Sequence, residues 1–244
     1  MEITAQKRLT ELAARCEKSG IVTSTAFLSP EEQAEAEAFF SRRAQKPVFF
    51  GGSEAAERRV AFFLPDGEGE DALRDRIVCV KLTGDLSSLG HRDFLGAVLG
   101  LGLERAAVGD ILTGGTAYIF CLPAAGRCIE QSLLKVGRQN VKAELVPLFE
   151  APVPEIRNTE VRFTVRSLRL DAVTAGLFRL SRTDAAERIA RGECSVDHRP
   201  VLKPDATVKE GDTIILRGYG KGEVSEIGGR TKKDRLYVTC LRRL

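Results

Sequence analysis

The chain has 244 residues, of which 43% are hydrophobic and 29% charged, and its formal net charge is +3. This length has room for one large or two to three small domains, and the composition is that of a globular protein. The N-terminal MEITAQKR lacks the apolar core of a signal peptide. The longest apolar stretch, near Phe94 to Leu103, contains three glycines and is too short to span a bilayer. We therefore expect a cytoplasmic protein with no membrane partner.

The charge is distributed unevenly along the chain. Residues 155–244 contain 19 Lys and Arg against 13 Asp and Glu, whereas the rest of the chain contains 18 against 21. A concentration of positive charge at one end is typical of a nucleic-acid-binding region. The alternative is an ordinary solvated surface.

Cysteine and histidine usage argues against a metal site. The six cysteines form no Cys-x-x-Cys pair, and only His91 and His198 are available as imidazole ligands. Zinc sites need closely spaced pairs of such ligands. We expect no metal and no cofactor, and we interpret the cysteines as buried free thiols in a reducing compartment.

Residues 1–72 are predicted to form an N-terminal helical region. Ser29-Pro30-Glu31-Glu32 is a strong helix start, because a capping serine precedes a proline at the first position and an acid follows three residues later. Glu57-Arg58-Arg59 is interpreted as a solvated helix face, with an RNA contact as the alternative.

Residues 73–150 are predicted to form a middle domain with the order β-α-β-β-α-β, which is that of a ferredoxin-like or RRM-like domain. The predicted strands and helices cover residues 77–82, 93–101, 110–112, 117–122, 127–136 and 141–146, with a hairpin at Gly114-Gly115. Tyr118 and Phe120 share one face of the sheet. They could stack on bases, as RRM aromatics do, or pack on a helix or a neighbouring domain.

Ala151-Pro152-Val153-Pro154 is the most linker-like stretch, because two prolines in four residues favour an extended spacer. The last domain is therefore placed at residues 155–244. It begins with a helix over 168–177 and a second helix that starts at the capping Ser181 and stops at Gly192. Short strands follow, at 194–196 and 213–217, and two more are predicted around a basic turn at 228–233. The overall fold class is α+β.

Basic residues lie near the ends of these elements, where they are available to bind phosphate. Arginine suits this task because its planar fork donates two parallel hydrogen bonds. The candidates are Arg169, Arg182, Lys203, Arg217 and Lys221, and, in the basic turn, Arg230, Lys232 and Lys233.

The C-terminal segment resembles the S-four-type RNA-binding domain, named after a small-subunit ribosomal protein. The resemblance rests on Arg169-Leu170-Asp171 at the first helix, Ser181-Arg182 and Ala185 at the second, Gly192 before a short strand, and Gly211-Asp212 before the last strand. It extends over about fifty residues. Two positions depart from the pattern: the usual Asn-Gly turn is Asp197-His198, and a usually apolar helix position is Arg188.

The whole chain resembles the YlmH family of bacterial RNA-binding proteins. The supporting upstream segments are GGSEAAERRVAFFLP and HRDFLGAVLGLGLERAAVGDIL. The resemblance implies a role on the large ribosomal subunit in ribosome-associated quality control, holding peptidyl-tRNA during alanine tailing. Ribosomal RNA and tRNA would be the partners, together with a quality-control protein. It also implies that Arg169, Ser181, Arg182, Lys203 and Arg217 clamp phosphates, and that Arg230, Lys232 and Lys233 extend the grip.

Two other functions stay open. Modules of this type also occur on RNA-modifying enzymes, so a degenerate catalytic domain is one alternative. The chain has no phosphate loop, nucleophile elbow or His-Glu-x-x-His motif, and we therefore expect a non-enzyme. The other alternative is an interaction scaffold linked to cell division, whose basic end contacts protein or an anionic membrane.

Overall fold

A computed structural model of the chain describes residues 3–73, 75–152 and 158–243. Its contacts divide the chain into two compact units, Met1–Pro154 and Glu155–Leu244. Both units combine helices with antiparallel sheets, which confirms the predicted α+β class.

The N-terminal region contains a sheet as well as helices. Its elements are α1 (Ile3–Ser19), β1 (Thr23–Leu28), α2 (Pro30–Phe40), β2 (Val48–Phe50) and β3 (Arg59–Phe63), and the strands pair antiparallel in the order β1-β3-β2. The prediction of a helical region is therefore correct for α1 and α2 and wrong for the three strands. The capping box that begins α2 is present, with Ser29 and Glu32 each accepting a hydrogen bond from the other's backbone N–H.

The middle region has the predicted β-α-β-β-α-β order, with one short additional strand. Its sheet order, β5-β6-β4-β8-β7, places the first and third predicted strands side by side at the centre, as a ferredoxin-like fold requires. The elements are β4 (Val78–Gly84), α3 (His91–Gly100), β5 (Val108–Leu112), β6 (Ala117–Cys121), α4 (Pro123–Ser132), β7 (Lys135–Val136) and β8 (Gln139–Val146).

The two faces of this sheet are covered by different parts of the first unit. Val80 and Ile119 belong to the core beneath α3 and α4. Phe120, on the opposite face, is 1% exposed and belongs to a core that includes Phe27 and Phe62 of the N-terminal sheet. The N-terminal region therefore covers the face on which an RRM would stack bases, and the packing interpretation of Phe120 is the one the structure shows.

A polar cluster also joins the N-terminal region to β5. The carboxylate of Asp110 accepts hydrogen bonds from the backbone N–H groups of Glu57 (2.6 Å) and Arg58 (3.1 Å). The Arg58 guanidinium donates to the carbonyls of Val108 (3.2 Å) and Phe27 (3.0 Å). The interpretation of this segment as a solvated helix face is wrong, because Glu57 and Arg58 form a loop that leads into β3, and Arg58 holds β1 and β5 in place.

Gly52 is required where the N-terminal region meets β6. Its φ is +95°, and a Cβ added there would lie 2.4 Å from Cδ1 of Phe120. We expect Gly52→Ala to lower the free energy of unfolding by about 2–4 kcal/mol, because it combines backbone strain with overpacking.

Gly67→Ala is the matched control, since Gly67 has a φ of +86° and no atom within 4 Å of an added Cβ. It should cost only the backbone strain, about 1 kcal/mol. Urea unfolding measures both variants, and equal losses would contradict the packing argument.

The second unit packs two helices on one face of a six-stranded antiparallel sheet. The strand order is β11-β10-β12-β13-β14-β9. Leu177 of α5 and Ile189 of α6 are fully buried in the core with Ile214 of the sheet. The elements are β9 (Asn158–Val165), α5 (Leu170–Phe178), α6 (Arg182–Ala190), β10 (Cys194–Val196), β11 (Arg199–Pro200), β12 (Thr213–Leu216), β13 (Gly220–Arg230) and β14 (Leu236–Arg243).

The cysteines are free, and five of the six are buried. Burial raises the pKa of the Cys79, Cys121 and Cys240 thiols to about 12 and that of Cys194 to about 11. Such thiols carry little thiolate at neutral pH and are poor nucleophiles and metal ligands. Within the described ranges, no helix is long and apolar enough to cross a membrane.

Candidate nucleic-acid interface

The starts of α5 and α6 are set by different partners. Ser181 caps α6, and its hydroxyl accepts a hydrogen bond from the Asp184 N–H at 3.0 Å. At the start of α5, the N–H groups of Leu170 and Asp171 donate to the carbonyls of Ala206 (2.8 Å) and Pro204 (2.9 Å). The loop that precedes β12 therefore lies against the first turn of α5.

Asp171 brings two of the predicted phosphate-binding arginines together. Its carboxylate is almost fully buried and accepts a hydrogen bond from Nη2 of Arg169 at 2.9 Å and from Nη2 of Arg182 at 3.2 Å. A second contact from Nε of Arg169, at 3.3 Å, makes that pair bidentate. The side chains of Arg169 and Arg182 are 40% and 55% exposed, so both guanidiniums keep donors for a ligand.

The Asp171 carboxylate is charged in this arrangement. Burial alone would raise its pKa, but the hydrogen bonds from Arg169 and Arg182 outweigh burial, and the pKa lies below its usual range. The same contact raises the pKa of Arg169. The single negative charge of Asp171 thus orients the two guanidiniums, and the three side chains together keep a net positive charge.

The other predicted residues are divided between several parts of the unit. Lys203 is exposed in the loop that contacts the start of α5. Arg217 is exposed beyond the end of β12, where its N–H donates to the Glu193 carbonyl at 2.9 Å, so it lies near the end of α6 opposite to Arg182. Lys221 pairs with Ile215, whereas its neighbour Gly222 faces Leu177 of α5, which places Lys221 on the sheet face opposite to the helices.

The basic turn is shorter than predicted. Strand β13 continues through Gly228 and Gly229 to Arg230, and the turn occupies residues 231–235. Lys232 and Lys233 are exposed on it. The Arg230 guanidinium contacts the Asp234 carboxylate at 2.7 Å, which reduces the charge it can offer to a phosphate.

The two departures from the S-four-type pattern have local explanations. Asp197 and His198 have φ values of +49° and +60°, which are the left-handed conformations that a tight hairpin turn needs. Arg188 contacts the Glu193 carboxylate at 2.8 Å and lies 4.8 Å from the centre of the Tyr219 ring. Its charge is therefore partnered within the unit.

Sequence reasoning missed the acceptor that organises the interface. The sequence pointed to Asp171 only through the Arg-Leu-Asp part of the resemblance. Its contact with Arg182 could not be read from spacing, because the two residues are eleven positions apart and lie on different helices. A burial pattern could have indicated it, because Asp171 lies between the buried Leu170 and Val173 on the first turn of a short apolar helix.

The fold and this interface define a class of protein. It is a modular α+β protein in which a ferredoxin-like region precedes a basic unit whose element order fits the S-four-type module. Residues 73–150 match the family model described as the putative RNA-binding domain in YlmH.

The chain is 33% identical to ribosome-associated protein quality control protein P2 of Bacillus subtilis strain 168 over an alignment of 219 residues. This alignment covers 88% of this chain and 85% of that protein. The chain belongs to the YlmH family.

Among solved structures, the chain is similar to the cell division protein ylmH from Streptococcus pneumoniae. The TM-score is 0.55 and the identity 20%, over 63% of this chain and 97% of that one. This likeness shows a shared fold.

Proposed function

We propose that this protein is a non-enzymatic, cytoplasmic RNA-binding protein of ribosome-associated quality control. It binds structured ribosomal RNA and tRNA on the large ribosomal subunit and holds peptidyl-tRNA while alanine tails are added. The Bacillus subtilis relative is named for ribosome-associated quality control, and the match over residues 73–150 is to a putative RNA-binding domain.

The observation that carries the proposal is the convergence of Arg169 and Arg182 on the buried Asp171. Two guanidiniums held by one carboxylate are preorganised, so less side-chain entropy is lost when they bind a phosphate. The exposed Lys203 lies in the loop beside them. Ser181 acts through α6, whose start it fixes, and thereby positions Arg182.

The middle region acts in a different way from a base-stacking RRM. Phe120 is buried beneath the N-terminal sheet, and Tyr118 packs against the same core. We propose that this unit contacts RNA or a quality-control protein through another surface.

The scaffold alternative is supported by the name of the Streptococcus pneumoniae protein alone, and at 20% identity that likeness carries the fold and no function. The enzyme alternative predicts methyl-donor binding or pseudouridine formation, either of which a direct assay with ribosomal RNA would detect.

Co-sedimentation of the purified full-length protein with separated ribosomal subunits tests the proposal. We expect association with the large subunit, strengthened by tRNA in the peptidyl site. If about six phosphates are neutralised, affinity should fall about 1,000-fold between 50 and 200 mM salt. Association that resists salt, or that is equal for both subunits, would contradict it. Association that survives nuclease treatment would favour the scaffold.

A further inference from the structure

A cleft of about 540 Å³ lies on the second unit between the end of β9, helix α5 and the turn at residues 231–235. This volume is within the range of about 300–1,000 Å³ that is common for small-ligand sites. Its rim carries Arg166, Arg182 and Arg235, and its floor includes Phe163, Ala175 and Gly176.

The rim of the cleft is positively charged. Three arginines line the cleft, of which Arg166 and Arg182 are exposed, and none of the described lining residues is acidic. Arg182 also belongs to the group of Asp171, Arg169 and Arg182 described above, here called the Asp171 cluster. The Arg166 side chain is exposed, and it makes no hydrogen bond or ion pair with the described part of the chain, so its charge is available to an anion.

Arg235 is held in place but retains an unused donor. Its backbone N–H donates to the Thr231 hydroxyl at 3.1 Å, and its side-chain Nη2 donates to the Thr164 carbonyl. Its Nε is buried and has no hydrogen-bond partner among the described residues. Since buried donors are normally paired, this unpaired guanidinium nitrogen beside the cleft is a candidate donor to a ligand.

The floor of the cleft is apolar because β9 and α5 approach each other closely. A Cβ added at Gly176 would lie 2.3 Å from Cδ2 of Phe163, so the ring packs directly against the helix at this glycine. Ala172 and Ala175 continue the same surface along the helix. Such a floor suits an uncharged, flat group better than a second charge.

We propose that this cleft binds one unpaired nucleotide of RNA, with its phosphodiester on the arginine rim and its nucleoside over the apolar floor. The cleft joins the Asp171 cluster, through Arg182, to the turn that carries Lys232 and Lys233. The inference rests on the proposed RNA-binding function and adds Arg166 and Arg235 to the residues that carry it.

Three variants of the full-length protein separate the parts of the cleft. Arg166→Ala removes one phosphate contact, so affinity for large subunits should fall about 10-fold and the salt slope of log affinity by about 0.7 to 0.9. Ala175→Leu fills the floor without changing charge, so affinity should fall about 5- to 10-fold with the slope unchanged. Arg162→Ala, an exposed arginine on the same strand but on the opposite sheet face, should change neither.

A spectroscopic measurement makes the cleft testable apart from the ribosome. The Nε–H signal of Arg235 should shift when a single-stranded hexanucleotide RNA is added, and much less with inorganic phosphate at the same concentration, which lacks the nucleoside. If the subunits bind but both cleft variants behave as wild type, the cleft proposal is overturned and the proposed function stands. If the subunits fail to bind but the hexanucleotide shifts Arg235, the cleft stands without that function. Inorganic phosphate that binds as tightly as the hexanucleotide would overturn the nucleotide assignment and leave a simple anion site.

Discussion

Replacing both Arg182 and Lys232 with glutamate is expected to weaken association with the large ribosomal subunit by at least about 100-fold. Each substitution removes one charge-assisted contact to phosphate and adds a repulsive carboxylate. Arg182 belongs to the Asp171 cluster and Lys232 to the basic turn, so the two changes act at separate contacts. Co-sedimentation at 50 mM salt measures the loss directly.

Two controls accompany this double variant. Glutamate at position 182 would face the buried Asp171, so Arg182→Gln/Lys232→Gln removes the charges without that repulsion and should still weaken binding about 10-fold. Arg162→Glu makes the same kind of charge reversal on the opposite face of the sheet and should bind as wild type. Loss of binding in the Arg162 variant would mean that net charge alone, without a defined interface, drives association.

Asp171→Asn is expected to destabilise the second unit and to weaken RNA binding at the same time. Asn keeps the shape but lacks the charge that holds two guanidiniums. We expect the free energy of unfolding to fall by about 1–3 kcal/mol at pH 7, since hydrogen bonds between charged groups are lost. Urea unfolding, followed through the amide signals of α5, reports this unit separately.

The stabilisation that the Asp171 charge supplies should depend on pH in a defined direction. The pKa of Asp171 is lowered in the folded protein, so its stabilisation is fully present above the ordinary carboxyl pKa. This stabilisation is lost as the pH falls through the lower pKa that Asp171 has in the folded protein. The unfolding free energies of wild type and Asp171→Asn should therefore differ at pH 7 and converge in acid. A constant difference between pH 7 and pH 3 would show that the Asp171 charge is not what stabilises the unit.

Short-range sequence signals, namely helix caps and glycine stops, were sufficient to predict many element boundaries. Ser29 and Ser181 cap the helices that were predicted to start there. Gly192 has a φ of +75°, the left-handed conformation that ends a helix. These signals work because a cap is satisfied within a few residues of itself.

The sheet of the N-terminal region and the strand β9 were not predictable in the same way. Thr23 pairs with Phe63, forty residues later, and Val165 pairs with Leu236. Such strands gain stability from partners that lie far along the chain, and a short apolar run such as Phe49-Phe50 fits a helix as well as a strand. Propensity and spacing therefore carry little information about them.

The residue types of the candidate interface follow from the sequence, but its geometry does not. Arg169 and Arg182 were selected as phosphate ligands, and they do lie together. Lys221 has the same charge but lies on the other face of the sheet, because alternation along β13 decides its direction. Arg166 and Arg235 have no motif around them, and the cleft they border exists only once β9 has paired with β14.

The core shared by Phe27, Phe62 and Phe120 bears on how the middle region can be produced and studied by itself. The family match starts at residue 73, but a fragment cut there would leave an aromatic sheet face in water. Such faces promote self-association and poor solubility. The boundary of a recognisable sequence and the boundary of an independently soluble piece therefore differ here, and binding studies on the middle region require the N-terminal sheet to remain attached.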